Sequence, residues 1–252
     1  MALSAPKAVF LLAVGIAAGI FNGVAGGGTL LTFPALLAVG LPALTANITS
    51  AVGIVPSYVG SISGFRRELE GQWPRVRSLV PALVVGGASG AILLLTTPAA
   101  SFRSVVPWLV LGATALFALQ PLVARSLDHL GPDHPSRALL LQAGTLLIAV
   151  YGGHFGAAMG VMMLAVFGIA LTEPLLRVNG LRAVCSVVLC ALVAAIFLIH
   201  GQVAWLPAAL IAAGTLVGGW AGATVARSLP SAVLRAIVVV VGTATALVLL
   251  LR

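Results

Sequence analysis

The segment GIFNGVAGGGTLLTFPALL, residues 19–37, decides the fold because three consecutive glycines interrupt an otherwise apolar stretch. Gly26, Gly27 and Gly28 together cost a helix roughly 3 kcal/mol relative to alanine. Apolar runs flank them at about 8–25 and about 28–40. As a helix the second run would extend about 20 Å, which is shorter than the roughly 30 Å of a bilayer core. The sequence therefore predicts a helix that breaks at membrane depth, followed by a short helix that re-enters or half-spans the membrane.

The whole chain has the composition of a membrane protein. Charged residues make up 7% of its 252 residues, where a soluble domain has roughly 25%, and hydrophobic residues make up 61%. This composition excludes soluble enzymes, nucleic-acid-binding modules and disordered proteins. The net charge of +8 does not indicate a nucleic-acid partner, because the basic residues lie singly or in pairs between apolar runs. The predicted fold class is an all-α polytopic membrane protein surrounded by the lipid bilayer.

Ten apolar segments follow one another along the chain, bounded by charges, glycines or prolines. They cover about 8–25, 28–40, 43–64, 78–96, 104–124, 138–155, 157–172, 178–199, 203–226 and 232–251. A polar loop at 125–137 separates the first five from the last five.

A repeated glycine pattern divides the chain into two halves. Three glycines of the first half recur at a constant spacing of 133 residues: Gly19, Gly23 and Gly27 correspond to Gly152, Gly156 and Gly160. The sequence predicts two repeats of about five helical segments each, with glycine-broken or re-entrant short helices near the midplane. The first repeat covers 1–124, a cytoplasmic connecting loop covers 125–137, and the second repeat covers 138–252.

The distribution of positive charge predicts that the two repeats have inverted topology. The connection at 65–77 carries four arginines, whereas its counterpart at 200–204 carries no Lys or Arg. Positive loops mark the cytoplasmic side, so equivalent loops face opposite sides of the membrane. The predicted cytoplasmic connections are 65–77, 125–137, 173–177 and 227–235, with both termini outside. Inverted repeats are typical of secondary transporters, although two copies that only form a scaffold remain an alternative.

The candidate substrate-binding residues lie at the two glycine breaks and on the helices that follow them. A half-helix that begins after a break presents free N–H groups and the positive end of its dipole, which favours an anion. Arg182 would supply a positive charge and a fork of donors matched to an oxyanion. The predicted set is Asn22, Gly26, Gly27, Gly28, Thr29, Asn47, Thr49, Gly153, His154, Asn179 and Arg182.

Each of these residues also has a structural interpretation. The glycines allow close helix packing, which explains Gly15, Gly19 and Gly23 well. Asn47 and Thr49 could form hydrogen bonds between helices. Arg182 could extend to the cytoplasmic interface, and His154 could be either a proton-coupling group or a polar residue whose hydrogen bonds are satisfied within the break.

No catalytic motif is present in the sequence. It contains no HExxH, no nucleophile elbow and no Walker A motif, so we expect neither an enzyme nor a self-contained ATP-driven pump. No cofactor or metal is expected either, because no cluster of Cys or His accompanies Cys185 and Cys190. A secondary transporter or passive exporter is favoured, with an anion channel or a non-transporting membrane scaffold subunit as alternatives.

The residues that carry these features resemble the TauE/SafE family of sulfite-exporter-like permeases. In the first half the resemblance rests on GIFNGVAGGGTLLTFPALLAVGLPALTANITSAVG at 19–53 and GFRRELEGQ at 64–72. In the second half it rests on YGGHFGAAMGVMML at 151–164, RVNGLRAVCS at 177–186 and GGWAGATVARSLP at 218–230. The second glycine motif departs from the family pattern at 157–159, where Ala-Ala-Met stands in place of a further glycine.

This resemblance implies a substrate class that the residues alone do not give. It implies export of sulfur-containing anions, such as sulfite, sulfoacetate or another organosulfonate, across the bacterial inner membrane by alternating access. The expected partners are a small anionic substrate and the lipid bilayer of the cell inner membrane, and a homo-oligomer is compatible with the sequence.

Overall fold

The computed structural model describes residues 3–98, 101–102, 104–105 and 135–226, with isolated helical positions within 108–119 and 236–247. The continuous part of this description contains eight helices and no strand, which confirms the all-α prediction. They are α1 (Ala5–Ala25), α2 (Thr29–Ala38), α3 (Ala43–Gly64), α4 (Trp73–Thr96), α5 (Pro135–His154), α6 (Met159–Ala170), α7 (Leu175–His200) and α8 (Trp205–Ala226).

The helices match eight of the ten predicted segments. The predicted segments 104–124 and 232–251 and most of the loop 125–137 lie outside the described residues. Four helices, α1, α4, α7 and α8, are long and apolar enough to cross a membrane, whereas α2 and α6 are short. Helices α3 and α5 are also long by their number of residues. Along the chain the order long, short, long, long therefore occurs twice.

Helices α1 and α2 form a hairpin whose two outer ends meet. Lys7 Nζ in the first turn of α1 donates a hydrogen bond to Val39 O just after α2, at 3.1 Å. Helix α2 therefore returns to the end of the bundle where α1 begins, as a re-entrant segment does. The turn between them contains Gly26 with φ +80°, a left-handed conformation that favours glycine.

Helices α5 and α6 form a second hairpin of the same kind. Arg137 Nη1 in the first turn of α5 donates to Ile169 O at the end of α6, at 2.8 Å. The turn contains two left-handed residues, Gly156 with φ +75° and Ala158 with φ +58°. Tyr151 Oη closes this turn by donating to Ala157 O at 2.6 Å.

The second break lies later in the chain than the sequence predicted. Gly152, Gly153 and His154 remain within α5, which ends at His154. The turn that breaks the chain is formed by Phe155–Ala158. Single glycines are tolerated inside a helix when neighbours fill the space beside them, and Gly153 packs directly on the backbone of α4 at Gly87 and Gly90. Structurally equivalent residues of the two hairpins are 130 positions apart, as the left-handed glycines Gly26 and Gly156 are. The spacing of 133 predicted from the glycine pattern is therefore wrong by three residues.

The connections that follow α3 and α6 lie at one end of the bundle, and the connection that follows α7 lies at the other end. The connection between α3 and α4 meets the one between α6 and α7, because Arg75 pairs with Glu173 at 3.3 Å. The connection between α7 and α8 lies near the beginning of α3, where Ala204 N donates to Thr49 Oγ1 at 3.1 Å. We call the first of these ends, which contains residues 65–77 and 171–177, the charged end.

Close packing of small residues joins the two halves. Helix α1 packs on α8 through Gly15, Gly19 and Gly23, whose Cα atoms face the backbone between Ile211 and Ala223. Helix α5 packs on α4 in the same manner. For these three glycines the packing interpretation is therefore confirmed.

Candidate functional site

The tips of the two hairpins touch inside the molecule. Gly160 N in the first turn of α6 donates a hydrogen bond to Gly26 O at the end of α1, at 3.1 Å. A Cβ built on either glycine would lie 2.6 Å from the Cα of the other, which is closer than real contacts allow. The contact therefore depends on glycine at both positions, and it brings the two helix breaks together.

Arg182 on α7 lies fully buried beside this contact. Its Nε donates to Asn179 Oδ1 at 2.6 Å, and its Nη2 donates to Asn22 O at 3.1 Å. Its Nη1 is buried without a hydrogen-bond partner and lies against Gly26 and Gly160. Because the side chain is 0% exposed, the alternative that it extends to the membrane interface is wrong.

Asn22 and Asn179 stabilise the backbone of the first break, the turn between α1 and α2. Asn179 Nδ2 donates to Val24 O at 3.0 Å and so satisfies a carbonyl at the end of α1. Asn22 Nδ2 donates to Ser57 Oγ at 2.5 Å, while Asn22 Oδ1 accepts from Gly28 N at 3.4 Å. Of the predicted set, the structure thus brings together Asn22, Gly26, Asn179 and Arg182.

Gly27 and Gly28 lie in the same break but are packed against α1. A Cβ on Gly27 would meet the ring of Phe21 at 2.6 Å, and one on Gly28 would meet Ala18 O at 2.5 Å. These two positions therefore require small residues for packing. Thr29, the first residue of α2, instead lines a cavity between the two breaks.

This cavity is small and is formed by four helices and the second turn. Its volume is about 20 Å³, which is room for about one water molecule. Its wall includes Thr29, Tyr58, Gly156 and Cys190. An ion larger than one water molecule therefore does not fit this cavity in the present conformation.

Of the remaining predicted residues, Asn47, Gly153 and His154 lie at the end of α5, and Thr49 lies at the connection between α7 and α8. Asn47 Nδ2 donates to His154 O at 3.2 Å, and Asn47 Oδ1 and His154 Nδ1 are buried without a partner. Thr49 accepts from Ala204 N, and Gly153 packs on α4. These four residues are not beside Arg182, and for Asn47 the predicted hydrogen bonding between helices is present.

The two asparagines occupy corresponding places in the two halves. Asn179 donates to a carbonyl at the end of α1, and Asn47 donates to a carbonyl at the end of α5. The position of Arg182 corresponds in the other half to Ser50, whose Oγ is hydrogen bonded to Thr32 Oγ1 at 2.5 Å. The site therefore carries its positive charge on one side only.

Sequence reasoning did not single out Tyr58. Its side chain is 1% exposed and lines the cavity together with Cys190. A tyrosine on a membrane helix has a hydroxyl that needs a polar partner, and this could have indicated an inward-facing position. Ser57 was missed as well, although it follows Asn22 in the same hydrogen-bonded chain.

Taken together, the described residues define a polytopic helical membrane protein in which two helical hairpins meet at a buried arginine. No group of His, Cys, Asp or Glu that could hold a metal ion occurs among them.

Comparison with known proteins places the chain in a family. The model of the family "Sulfite exporter TauE/SafE" matches residues 11–249, so the chain belongs to this family. A "Probable membrane transporter protein" of Haemophilus influenzae is 27% identical over 243 residues, covering 91% of this chain and 89% of that protein. The "Probable membrane transporter protein YfcA" of Escherichia coli K12 is 26% identical over 241 residues, covering 92% and 85%. No solved structure matches the chain.

Proposed function

We propose that this protein is a secondary transporter that exports small sulfur-containing anions, such as sulfite or an organosulfonate, across the bacterial inner membrane by alternating access. The observation that carries the proposal is the buried Nη1 of Arg182, which lacks a partner at the point where both helix breaks meet. The family description mentions sulfite export, and the printed names of the relatives support a membrane transporter.

The charge on Arg182 favours an anion as the missing partner. A buried guanidinium is costly unless it is paired, and no described carboxylate contacts it. Glu173 is paired with Arg75 and Arg177 at the charged end. A sulfite or sulfonate group presents three oxygens to the planar fork of an arginine and accepts charge-assisted hydrogen bonds from it.

The two short helices add to this preference. Helix α2 begins at Thr29 beside the cavity, and α6 begins at Met159 directly after the second turn. The N-terminus of a helix carries partial positive charge and N–H groups without partners in the helix. Both N-termini lie at the meeting point of the hairpins, so they would attract the same anion as Arg182.

We infer that the halves 1–124 and 138–252 are inverted repeats that move relative to each other. Corresponding connections at opposite ends of the bundle, and hairpins built alike in the two halves, are what inverted repeats require. Movement of the hairpins would open the closed cavity first to one side and then to the other. An anion that leaves the cytoplasm moves down the inside-negative potential, which supplies about 2.3 kcal/mol per charge per 100 mV.

Anion flux in proteoliposomes tests the proposal. The purified protein would be assayed with sulfite, sulfoacetate, thiosulfate, sulfate and chloride, with and without a pH gradient. We expect saturable flux of at least one sulfur anion in preference to chloride. Flux that rises linearly with concentration would indicate a channel instead, and no flux from folded protein would overturn the proposal in favour of a scaffold.

A further inference from the structure

A groove with two arginines lies at the charged end, far from the cavity between the breaks. It is formed where α3 and α8 end side by side, has a volume of about 230 Å³, and is lined by Ser63, Gly64, Arg66, Arg67, Trp220 and Thr224. We call it the basic groove. Its position on the outer surface of two membrane helices makes it a place where lipid and protein meet.

The two arginines have no acidic partner among the residues that the structure describes. Arg66 and Arg67 are exposed, and neither forms an ion pair with another described residue. Glu68 is close in sequence but lies on the side facing α7, where its Cβ is 3.4 Å from a Cβ built on Gly180. The basic groove therefore presents two uncompensated positive charges.

An exposed apolar surface continues directly from the basic groove along both helices. On α8, Leu216 and Trp220 are 46% and 59% exposed and lie one helical turn apart on the same face as Thr224. On α3, Val59 is 52% exposed and lies one turn before Ser63. Apolar side chains exposed in this way face acyl chains in a bilayer, and a tryptophan at the end of the stripe is typical of the headgroup level.

We propose that the basic groove is a binding site for the phosphodiester headgroup of an anionic phospholipid such as phosphatidylglycerol. Arg66 and Arg67 bind the phosphate, Ser63 and Thr224 offer hydroxyl groups to it, and Trp220 with the apolar stripe contacts the acyl chains. Basic pockets between membrane helices bind anionic headgroups by this chemistry. A lipid fits better than a free anion because charge and apolar surface lie next to each other along the same two helices.

Native mass spectrometry of the detergent-purified protein with dioctanoyl phosphatidylglycerol tests this site. The double variant Arg66→Gln/Arg67→Gln should bind this lipid about 25-fold more weakly, about fivefold for each arginine removed. The variant Arg66→Lys/Arg67→Lys keeps both charges and should stay within about threefold of the unmodified protein. Arg77→Gln is the matched control, because Arg77 is exposed at the same end but does not line the basic groove.

Two further arms distinguish the source of the phosphate. Dioctanoyl phosphatidylcholine, whose headgroup has no net charge, should bind no better to the unmodified protein than to the double glutamine variant. Inorganic phosphate at millimolar concentration should leave phosphatidylglycerol binding unchanged. Unaltered lipid binding in the double variant, equal binding of both lipids, or displacement by inorganic phosphate would each overturn the proposal.

Discussion

At the scale of single residues, position 26 requires glycine for two separate reasons. Its φ of +80° is left-handed, and a Cβ there would overlap Arg182 Nη1 and approach Gly160 Cα to 2.6 Å. Gly71 has a similar φ of +78° but nothing within 4 Å of a built Cβ. A comparison of alanine substitutions at these two glycines therefore distinguishes the effect of backbone strain from the effect of lack of space.

Gly26→Ala should destabilise the protein more than Gly71→Ala does. The left-handed backbone costs either alanine about 1–2 kcal/mol, and overpacking adds about 1–3 kcal/mol at position 26 only. Thermal unfolding of both variants in detergent measures the difference. Equal melting temperatures would contradict the close contact between the hairpin tips.

The two corresponding asparagines give a second comparison at this scale. Asn179→Ala and Asn47→Ala each remove a hydrogen bond to a carbonyl at the end of a hairpin helix, which costs about 1 kcal/mol; Asn179→Ala also removes the bond from Arg182 Nε and should destabilise the protein more. Only Asn179 also holds Arg182, so Asn179→Ala should raise the concentration of anion needed for half-maximal flux about tenfold. The same rise in Asn47→Ala would contradict a site on the Arg182 side.

The positions of some site residues could be predicted from the sequence, and those of others could not. Arg182, Asn22 and Asn179 could be predicted, because polar groups on membrane helices face the interior and Gly26–Gly28 fixed the nearby break. The position of Tyr58 could not, since its neighbours in the cavity wall, such as Gly156 and Cys190, are distant in sequence. Gly153 and His154 were assigned to the correct segment, 138–155, but the break was placed on them, because a glycine inside a helix looks the same in sequence as one in a turn.

At the scale of helices, the second hairpin turn contains a residue other than glycine in a left-handed conformation. Ala158 has φ +58° immediately before α6, where the first half has a run of glycines. Ala157 is its neighbour in the same turn, and both side chains are 1% exposed.

Ala158→Gly should be more stable than Ala157→Gly by about 1 kcal/mol. Both variants lose one buried methyl group, but only glycine at 158 relieves left-handed strain. Chemical or thermal unfolding of the two variants side by side gives the difference. A more stable Ala157→Gly variant would contradict the described turn.

Helix type and order were largely predictable, whereas the ends of the helices were not. Long apolar runs predicted eight described helices within a few residues, because membrane spans have a fixed minimum length. The charged or polar starts of α4 and α5, at Trp73 and Pro135, were assigned to loops. Tertiary contacts place them in helices, as the bond from Arg137 to Ile169 illustrates.

At the scale of the whole molecule, the two halves correspond closely except at the site itself. Lys7 and Arg137 close the two hairpins, and Gly26 and Gly156 form their turns. The charge of Arg182 has no counterpart, since Ser50 takes the corresponding position. The repeat of the two halves stays a prediction, and the asymmetry of the site depends on a single side chain.

Inverted topology predicts which connections are accessible from each side of the membrane. Arg77→Cys lies at the charged end, and Gln202→Cys lies in the connection between α7 and α8 at the opposite end; both positions are exposed. We expect a membrane-impermeant maleimide added to intact cells to label Gln202→Cys and not Arg77→Cys. Both native cysteines are on α7, and Cys185 is buried, so the unmodified protein serves as the background control.

Labelling of Arg77→Cys should appear once the cells are permeabilised. Labelling of both variants in intact cells, or of Arg77→Cys alone, would contradict the assignment of the charged end to the cytoplasm.

Binding of sulfite and sulfoacetate to the purified protein tests the role of Arg182 most directly, since binding needs neither a gradient nor a coupling ion. Isothermal titration calorimetry would compare the unmodified protein with Arg182→Lys and Arg182→Gln, and with Asn47→Ala as the control. We predict saturable binding of at least one anion, weakened about 10- to 100-fold by Arg182→Gln and less by Arg182→Lys, with Asn47→Ala unchanged. Equal affinity in folded Arg182→Gln protein would contradict an anion site at the meeting point of the two hairpins.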